Sequence, residues 1–175
     1  WLLSESLRHW EPAATDAQRS SLLGELLAEA AKVSSDVPIF DVNDPAFLPS
    51  GDIPERIRSW YLAHGERAPE TRAEVVRCII ESLAEAFASA VQEASRLADH
   101  DVSVIHLVGG GSQNTLLCQA TANRSGLRVV AGPTEATAMG NMLIQARALG
   151  QLAPDLQAVR EVVARSSHVI EYLPR

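Results

Sequence analysis

Three consecutive glycines, Gly109-Gly110-Gly111, followed by Ser112-Gln113-Asn114, are the residues of this sequence best equipped for chemistry. They follow Val104-Ile105-His106-Leu107-Val108, a mostly apolar run that reads as a buried strand, and lead into a helical stretch from Ser112 to Asn123. A turn of this kind offers backbone N–H groups beside the positive end of a helix, where a phosphate or the polar edge of a ligand can be met. Glycine permits φ > 0 and lets a ligand approach the main chain without striking a Cβ. The same residues also read as a tight turn that simply requires glycine. The spacing has neither the lysine of a Walker loop nor the G-x-G-x-x-G dinucleotide pattern. Asn114, placed on the first turn of the helix, is either an amide that donates to and accepts from a heteroaromatic ring edge or a solvated surface amide.

The other polar candidates have simpler readings. Ala131-Gly132-Pro133-Thr134 is a second glycine turn, in which Thr134 is expected to cap the following helix. Asp41 and Asp44 either bind Mg²⁺ through oxygen or shape a turn, and the turn is the preferred reading. His106, inside a strand pattern, reads as a core or edge imidazole. His9, His64, His100 and His168 have no metal-ligand spacing. Cys78 and Cys118 fit neither a disulfide framework nor a zinc site and read as reduced core thiols. No nucleophile elbow or P-loop stands out. Neither a catalytic residue nor a metal ligand is assigned.

The elements that must position the glycines follow from periodicity. Strand 104–108, helix 112–123, strand 127–131 and helix 135–149 alternate, which implies parallel strands with ligands beyond their carboxyl ends, where both glycine turns lie. Gly126 and Gly150 end the two helices. Upstream, Leu3, Leu7 and Trp10 begin an amphipathic helix. Thr15 with Gln18 and Thr71 with Glu74 are capping boxes, and Asp52 with Glu55 opens a further helix that Gly65 closes. The stripe Val76, Ile79, Ile80, Leu83, Phe87, Ala90, Val91, Ala94 and Leu97 marks a long central helix. Gly140, with Ala136 and Ala138, suggests close helix packing, and the stretch from Pro154 to Arg175 reads as a short helix and an extended tail. The result is a helix-rich α/β fold.

Composition sets the limits. With 175 residues, 46% of them hydrophobic, the chain can bury one sizeable core and is expected to be one domain. A formal charge of −7 with dispersed Lys and Arg argues against nucleic acid. No apolar run reaches the ~20 residues that span a bilayer. No signal pattern opens the chain, so a cytoplasmic protein is expected, with no membrane partner.

Val76-Arg77-Cys78-Ile79-Ile80-Glu81-Ser82-Leu83-Ala84, together with Ile105 to Leu117 across the glycine turn, resembles the C-terminal domain of the FGGY carbohydrate kinases, and among them the rhamnulokinases. Ala131 to Asn141, the loop Asn43-Asp44-Pro45-Ala46-Phe47-Leu48-Pro49 and the opening Trp1-Leu2-Leu3 extend the likeness over nearly the whole chain. The resemblance implies an actin-like, ribonuclease-H-like ATPase domain whose sheet is incomplete here. It implies ATP with Mg²⁺ as cofactors, and transfer of the γ-phosphoryl to a hydroxyl of a small sugar, L-rhamnulose. By the same resemblance Gly109, Gly110 and Gly111 meet ATP and Asn114 meets adenine. Ser4 stands where the family has an ATP-contacting glutamine.

By the same resemblance the catalytic aspartate and most sugar contacts belong to the family's N-terminal half and the domain junction, expected to lie before Trp1; the opening of the chain inside an amphipathic helix likewise leads to the expectation that residues precede it. This chain is therefore expected to be a C-terminal nucleotide-binding fragment over residues 1–175, inactive alone, with apolar surface near Leu3 and Leu7 left open. Xylulose, ribulose or glycerol are alternative substrates. A noncatalytic nucleotide-binding or interaction module is the alternative of a different class.

Overall fold

The computed structural model describes residues 1–153 and 155–175; the start of the expected tail at Pro154 lies outside the described residues. The chain divides into two compact units, Trp1–Ala90 and Val91–Arg175.

The first unit is helical. It contains α1 (Leu2–Trp10), α2 (Asp16–Ala30), α3 (Ile53–Ala63) and the greater part of α4 (Arg72–Ala98). Local chemistry sets the helix starts. The Thr15 hydroxyl accepts from the Gln18 N–H while the Gln18 side chain accepts from the Thr15 N–H, at 3.3 and 2.8 Å. Thr71 and Glu74 exchange the same pair of bonds, at 3.1 and 2.9 Å. Asp52 accepts from the Glu55 N–H at 3.0 Å. Each bond satisfies an N–H that the first helical turn leaves open.

Ile53, Ile57 and Tyr61 recur at every fourth position of α3 and are fully buried. They pack with Phe40, Phe47, Val75 and Ile79 in one core. The loop before α3 is tied to this core rather than left loose. Phe40 and Phe47 meet in a tilted pair with ring centroids 5.0 Å apart, the Phe40 N–H donates to the Ser82 hydroxyl at 3.2 Å, and the Trp1 indole N–H donates to the Phe47 carbonyl at 3.1 Å. Asp41 and Asp44 shape the loop. Each accepts a backbone N–H two residues on, from Asn43 at 2.9 Å and from Ala46 at 2.8 Å.

Two expectations need correction in this unit. Leu7 is not open but buried, and Leu3 packs against the core, because α1 lies against α2 and α3. Of the α4 stripe, Val76, Ile79 and Ile80 are buried and Leu83 is partly buried. Phe87 and Leu97 are exposed.

The second unit is α/β. It holds β1 (Val104–Leu107), a 3-10 turn (Gly110–Gln113), α5 (Thr115–Ser125), β2 (Arg128–Ala131), α6 (Ala136–Ala148), α7 (Leu156–Ser166) and β3 (Ile170–Tyr172). β1 and β2 are parallel, with Val104 opposite Arg128 and Leu107 opposite Ala131. The expected extended tail becomes a strand, β3, running antiparallel on the far side of β2 with Ala131 opposite Ile170. Cys118 and Ala122 of α5 pack on Val129 and Ala131, with Ile105, Leu107 and Tyr172 around them. α5 stops at Gly126, whose φ of 67° is the left-handed conformation of a helix end.

Two further expectations fail here. Thr134 does not cap α6. Thr134 and Glu135 form a turn, and the helix begins after Glu135 without a side-chain cap. Gly140 does not mediate close packing, because a Cβ there would meet nothing within 4 Å. Among the described residues no helix is long and apolar enough to cross a membrane.

One buried ion pair sits inside the first unit. Arg77 and Glu81, one turn apart on α4, meet at 2.8 Å with almost no exposed surface, and Arg77 also donates to the Ala30 carbonyl at 3.4 Å. Its Nε has no hydrogen-bond partner. Removing the cation from such a pair is costlier than replacing both partners by apolar groups. Urea denaturation of Arg77→Ala is expected to give a loss of about 3–5 kcal/mol, whereas Arg77→Met with Glu81→Leu is expected to be close to neutral. An unchanged midpoint for the single variant would show that the pair is not desolvated.

Candidate functional site

At the end of β1 the chain does not continue straight into a helix. Gly109 takes φ 77° and ψ −165°, a conformation that L side chains rarely adopt, and this bend starts the 3-10 turn. The turn is closed by the Ser112 N–H, which donates to the Gly109 carbonyl at 3.0 Å, and by the Ser112 hydroxyl, which donates to the same oxygen at 2.7 Å. Gly110 and Gly111 are the first two residues of the turn, so the turn does not engage their N–H groups. Both are exposed.

The three glycines are not equivalent. Gly109 is required by the backbone. Gly111 faces the Leu107 side chain, where a Cβ would come to 3.4 Å. Gly110 has an ordinary φ, and a Cβ on it would meet nothing within 4 Å. The fold therefore explains the first glycine, partly explains the third and makes no demand for the second.

Asn114 ends the 3-10 turn and is the N-cap of α5 rather than a residue of its first turn. Its Oδ1 accepts from the Leu117 N–H at 3.0 Å. That carbonyl is already engaged, which leaves the amide nitrogen as the group best placed to reach outward. Cys118 lies beneath the turn, fully buried, with its thiol 3.6 Å from the Ser112 carbonyl. Burial raises the thiol from its ordinary value of 9.0 to about 11, so it stays protonated and is no nucleophile. Burial also raises the Cys78 thiol in the first unit. Both cysteines are free, as expected of reduced core thiols.

The second glycine turn braces the first. The Gly132 N–H donates to the Leu107 carbonyl at 2.9 Å, and the Gly109 N–H donates to the Pro133 carbonyl at 3.2 Å. The strand and helix order puts both turns at one edge of the sheet but does not give the bonds between them. The Gly-Pro pair was a visible turn signal, but the bond from Gly109 to Pro133 depends on which strands pair. The Ser112 hydroxyl bond was also missed, although a serine three residues past a bend is a common local partner for it.

Gly109, Gly110, Gly111 and Asn114 thus lie together in one turn of the second unit. Ser4 belongs to the first unit, exposed on α1 at a cleft of about 230 Å³ that Arg8 and Arg19 also line. His106 is exposed on β1, an edge strand of the sheet.

Residues 1–149 match the family model described as the C-terminal domain of the FGGY family of carbohydrate kinases. The chain belongs to the FGGY family. Its mixed sheet of three short strands among helices is the ribonuclease-H-like arrangement of that C-terminal domain, with the sheet incomplete. Among its FGGY relatives, the chain is 35% identical over 175 residues to a rhamnulokinase of Bacteroides thetaiotaomicron, which covers all of this chain and 34% of the relative. It is 36% identical over 173 residues to a rhamnulokinase of Halalkalibacterium halodurans, covering 99% of this chain and 35% of the relative. A rhamnulokinase of Klebsiella pneumoniae is 36% identical over 174 residues, with 34% of the relative covered. The chain therefore spans about a third of the length of these curated relatives.

Two outcomes follow from the geometry of this FGGY turn. Gly109→Ala is expected to lower stability by about 1–3 kcal/mol in urea denaturation, because alanine is strained at that backbone conformation; no loss would mean that the bend is not held in solution. The Cys118 thiol keeps its proton to higher pH when folded than when unfolded. Its contribution to stability is therefore complete below about pH 9 and is lost as pH rises toward 11. A Cys118→Ala chain is expected to show a flatter fall in melting temperature over that window, and an identical slope would contradict the burial.

Proposed function

We propose that this chain is the nucleotide-binding part of an ATP-dependent sugar kinase whose acceptor is L-rhamnulose. Residues 1–175 would form the C-terminal portion of that enzyme. Gly110 is the observation that carries this reading. Neither its backbone angle nor its surroundings call for glycine, so what remains is the close approach of a ligand to bare main chain. The turn lies beyond the carboxyl end of β1 and just before α5, where unengaged N–H groups and the helix's positive end favour an anionic group.

In this reading Gly109, Gly110 and Gly111 line the nucleotide's approach. The Asn114 amide nitrogen donates to the base, its oxygen being held by Leu117. Mg²⁺ would arrive with the ATP phosphates and neutralise charge there, as phosphoryl transfer generally requires. Asp41 and Asp44, occupied with their own loop, are not assigned to it. The base that takes the sugar hydroxyl's proton, and most contacts to the sugar, are assigned to an N-terminal domain. The chain alone is accordingly expected to give no turnover with L-rhamnulose and MgATP. The rhamnulokinase names of the relatives support the choice of sugar.

A noncatalytic nucleotide-binding module is the second reading. It is favoured by Ser4, whose short side chain stands where the family resemblance places a glutamine.

Titration of MgATP watched at the Gly110, Gly111 and Asn114 amides tests the nucleotide site. The native chain is expected to shift these signals. Gly110→Ala is expected to keep its stability within ~0.5 kcal/mol while weakening ATP about tenfold or more. Signals that stay fixed in the native chain at millimolar ATP would defeat the reading.

A further inference from the structure

The tail beyond α7 lies past the residues that match the family model, yet it reaches the glycine turns. Ile170 of β3 sits opposite Ala131, the last residue of β2. The next residue, Gly132, bends at φ 108° directly under the tail. A Cβ there would lie 3.0 Å from the His168 carbonyl and 3.7 Å from Val169. Main chain therefore rests on main chain at this point. From Gly132 two hydrogen bonds lead to the first turn, the Gly132 N–H to the Leu107 carbonyl and the Gly109 N–H to the Pro133 carbonyl.

The tail is itself fastened. The Gln119 side chain donates to the Leu173 carbonyl at 2.8 Å, the Arg175 N–H donates to Asn123 at 3.0 Å, and Arg128 pairs with Glu171 at 3.1 Å. Gln119 and Asn123 belong to α5, the helix that the first turn opens.

We propose that the C-terminal strand is a positioning element for the nucleotide turn, with Ile170 and Gly132 as its positioning residues, acting on Gly109 through Pro133. The inference rests on reading that turn as the nucleotide's. A tail that is free of β2 no longer confines Gly132, and the Pro133 carbonyl loses its fixed place opposite the Gly109 N–H. The bend that presents Gly110 and Gly111 then samples other shapes, and a ligand must order it on binding.

Amide hydrogen exchange of the full chain without nucleotide tests the coupling, compared with a chain ending at Ser167 and with Ile170→Pro. The proline removes an N–H and disfavours the ladder while leaving the tail in place. Exchange at Gly109 is expected to become about tenfold faster or more in both variants, while α5 amides such as that of Ala122 keep their protection. MgATP affinity is expected to fall by a similar factor. Unchanged exchange at Gly109 in a variant whose α5 amides stay protected would overturn the proposal. If the truncated chain loses α5 protection as well, Ile170→Pro decides by the same comparison. A native chain that binds no MgATP would defeat the nucleotide reading. The exchange comparison would still decide whether the tail controls the turn.

Discussion

The second unit depends on two backbone hydrogen bonds that lock one glycine turn to another. Leu107 ends β1 and Ala131 ends β2, and in a parallel pair both carboxyl ends lie on the same edge. The N–H of Gly132 extends the pairing to the Leu107 carbonyl, and the N–H of Gly109 returns the bond to Pro133. Where these bonds form, the chain turns through positive φ at both glycines, 77° at Gly109 and 108° at Gly132. A side chain at either position would set backbone strain against these bonds. The turn is thus tied to the ends of both strands.

That arrangement explains how a short loop can be stiff and bare at once. Ser112 closes the 3-10 turn with both its N–H and its hydroxyl on the Gly109 carbonyl, and Asn114 satisfies an N–H at the start of α5. Cys118 fills the space beneath without offering charge, since burial keeps its thiol protonated. The polar demands of the loop are met from below and from its flanks, leaving the outward N–H groups of Gly110 and Gly111 unengaged by the turn. A fixed set of donors needs little reorganisation when an anionic group arrives, which is the use such turns serve in phosphoryl chemistry.

The first unit has a different logic. Its aromatic loop is held by Phe40 and Phe47 inside the core and by Trp1 and Ser82 at its carbonyl and N–H ends. Two of its carboxylates, Asp41 and Asp44, are consumed by the loop's own N–H groups. Arg77 and Glu81 place a charged pair in the interior, where geometry matters more than in water because so little solvent screens it.

Sequence alone determined the capped helix starts of the first unit, the two parallel strands and the family. Capping boxes at Thr15 and Thr71, the stop at Gly126 and the strand beginning at Val104 are local signals, written in residues that contact their own neighbours. The motifs around Val76, Ile105 and Ala131 carried the FGGY resemblance in the same way. Tertiary structure decided what those signals could not reach. The tail became a third strand because β2 offered a free edge, and Thr134 lost its cap because the Gly132 turn delayed α6. Leu7 was buried by the packing of α1 on α2 and α3, and the three glycines acquired separate roles only once Leu107 and Pro133 were beside them. The third strand and the roles of the glycines depend on pairs far apart along the chain, whose meeting is set by the packing of whole elements and leaves no mark in a short window of residues.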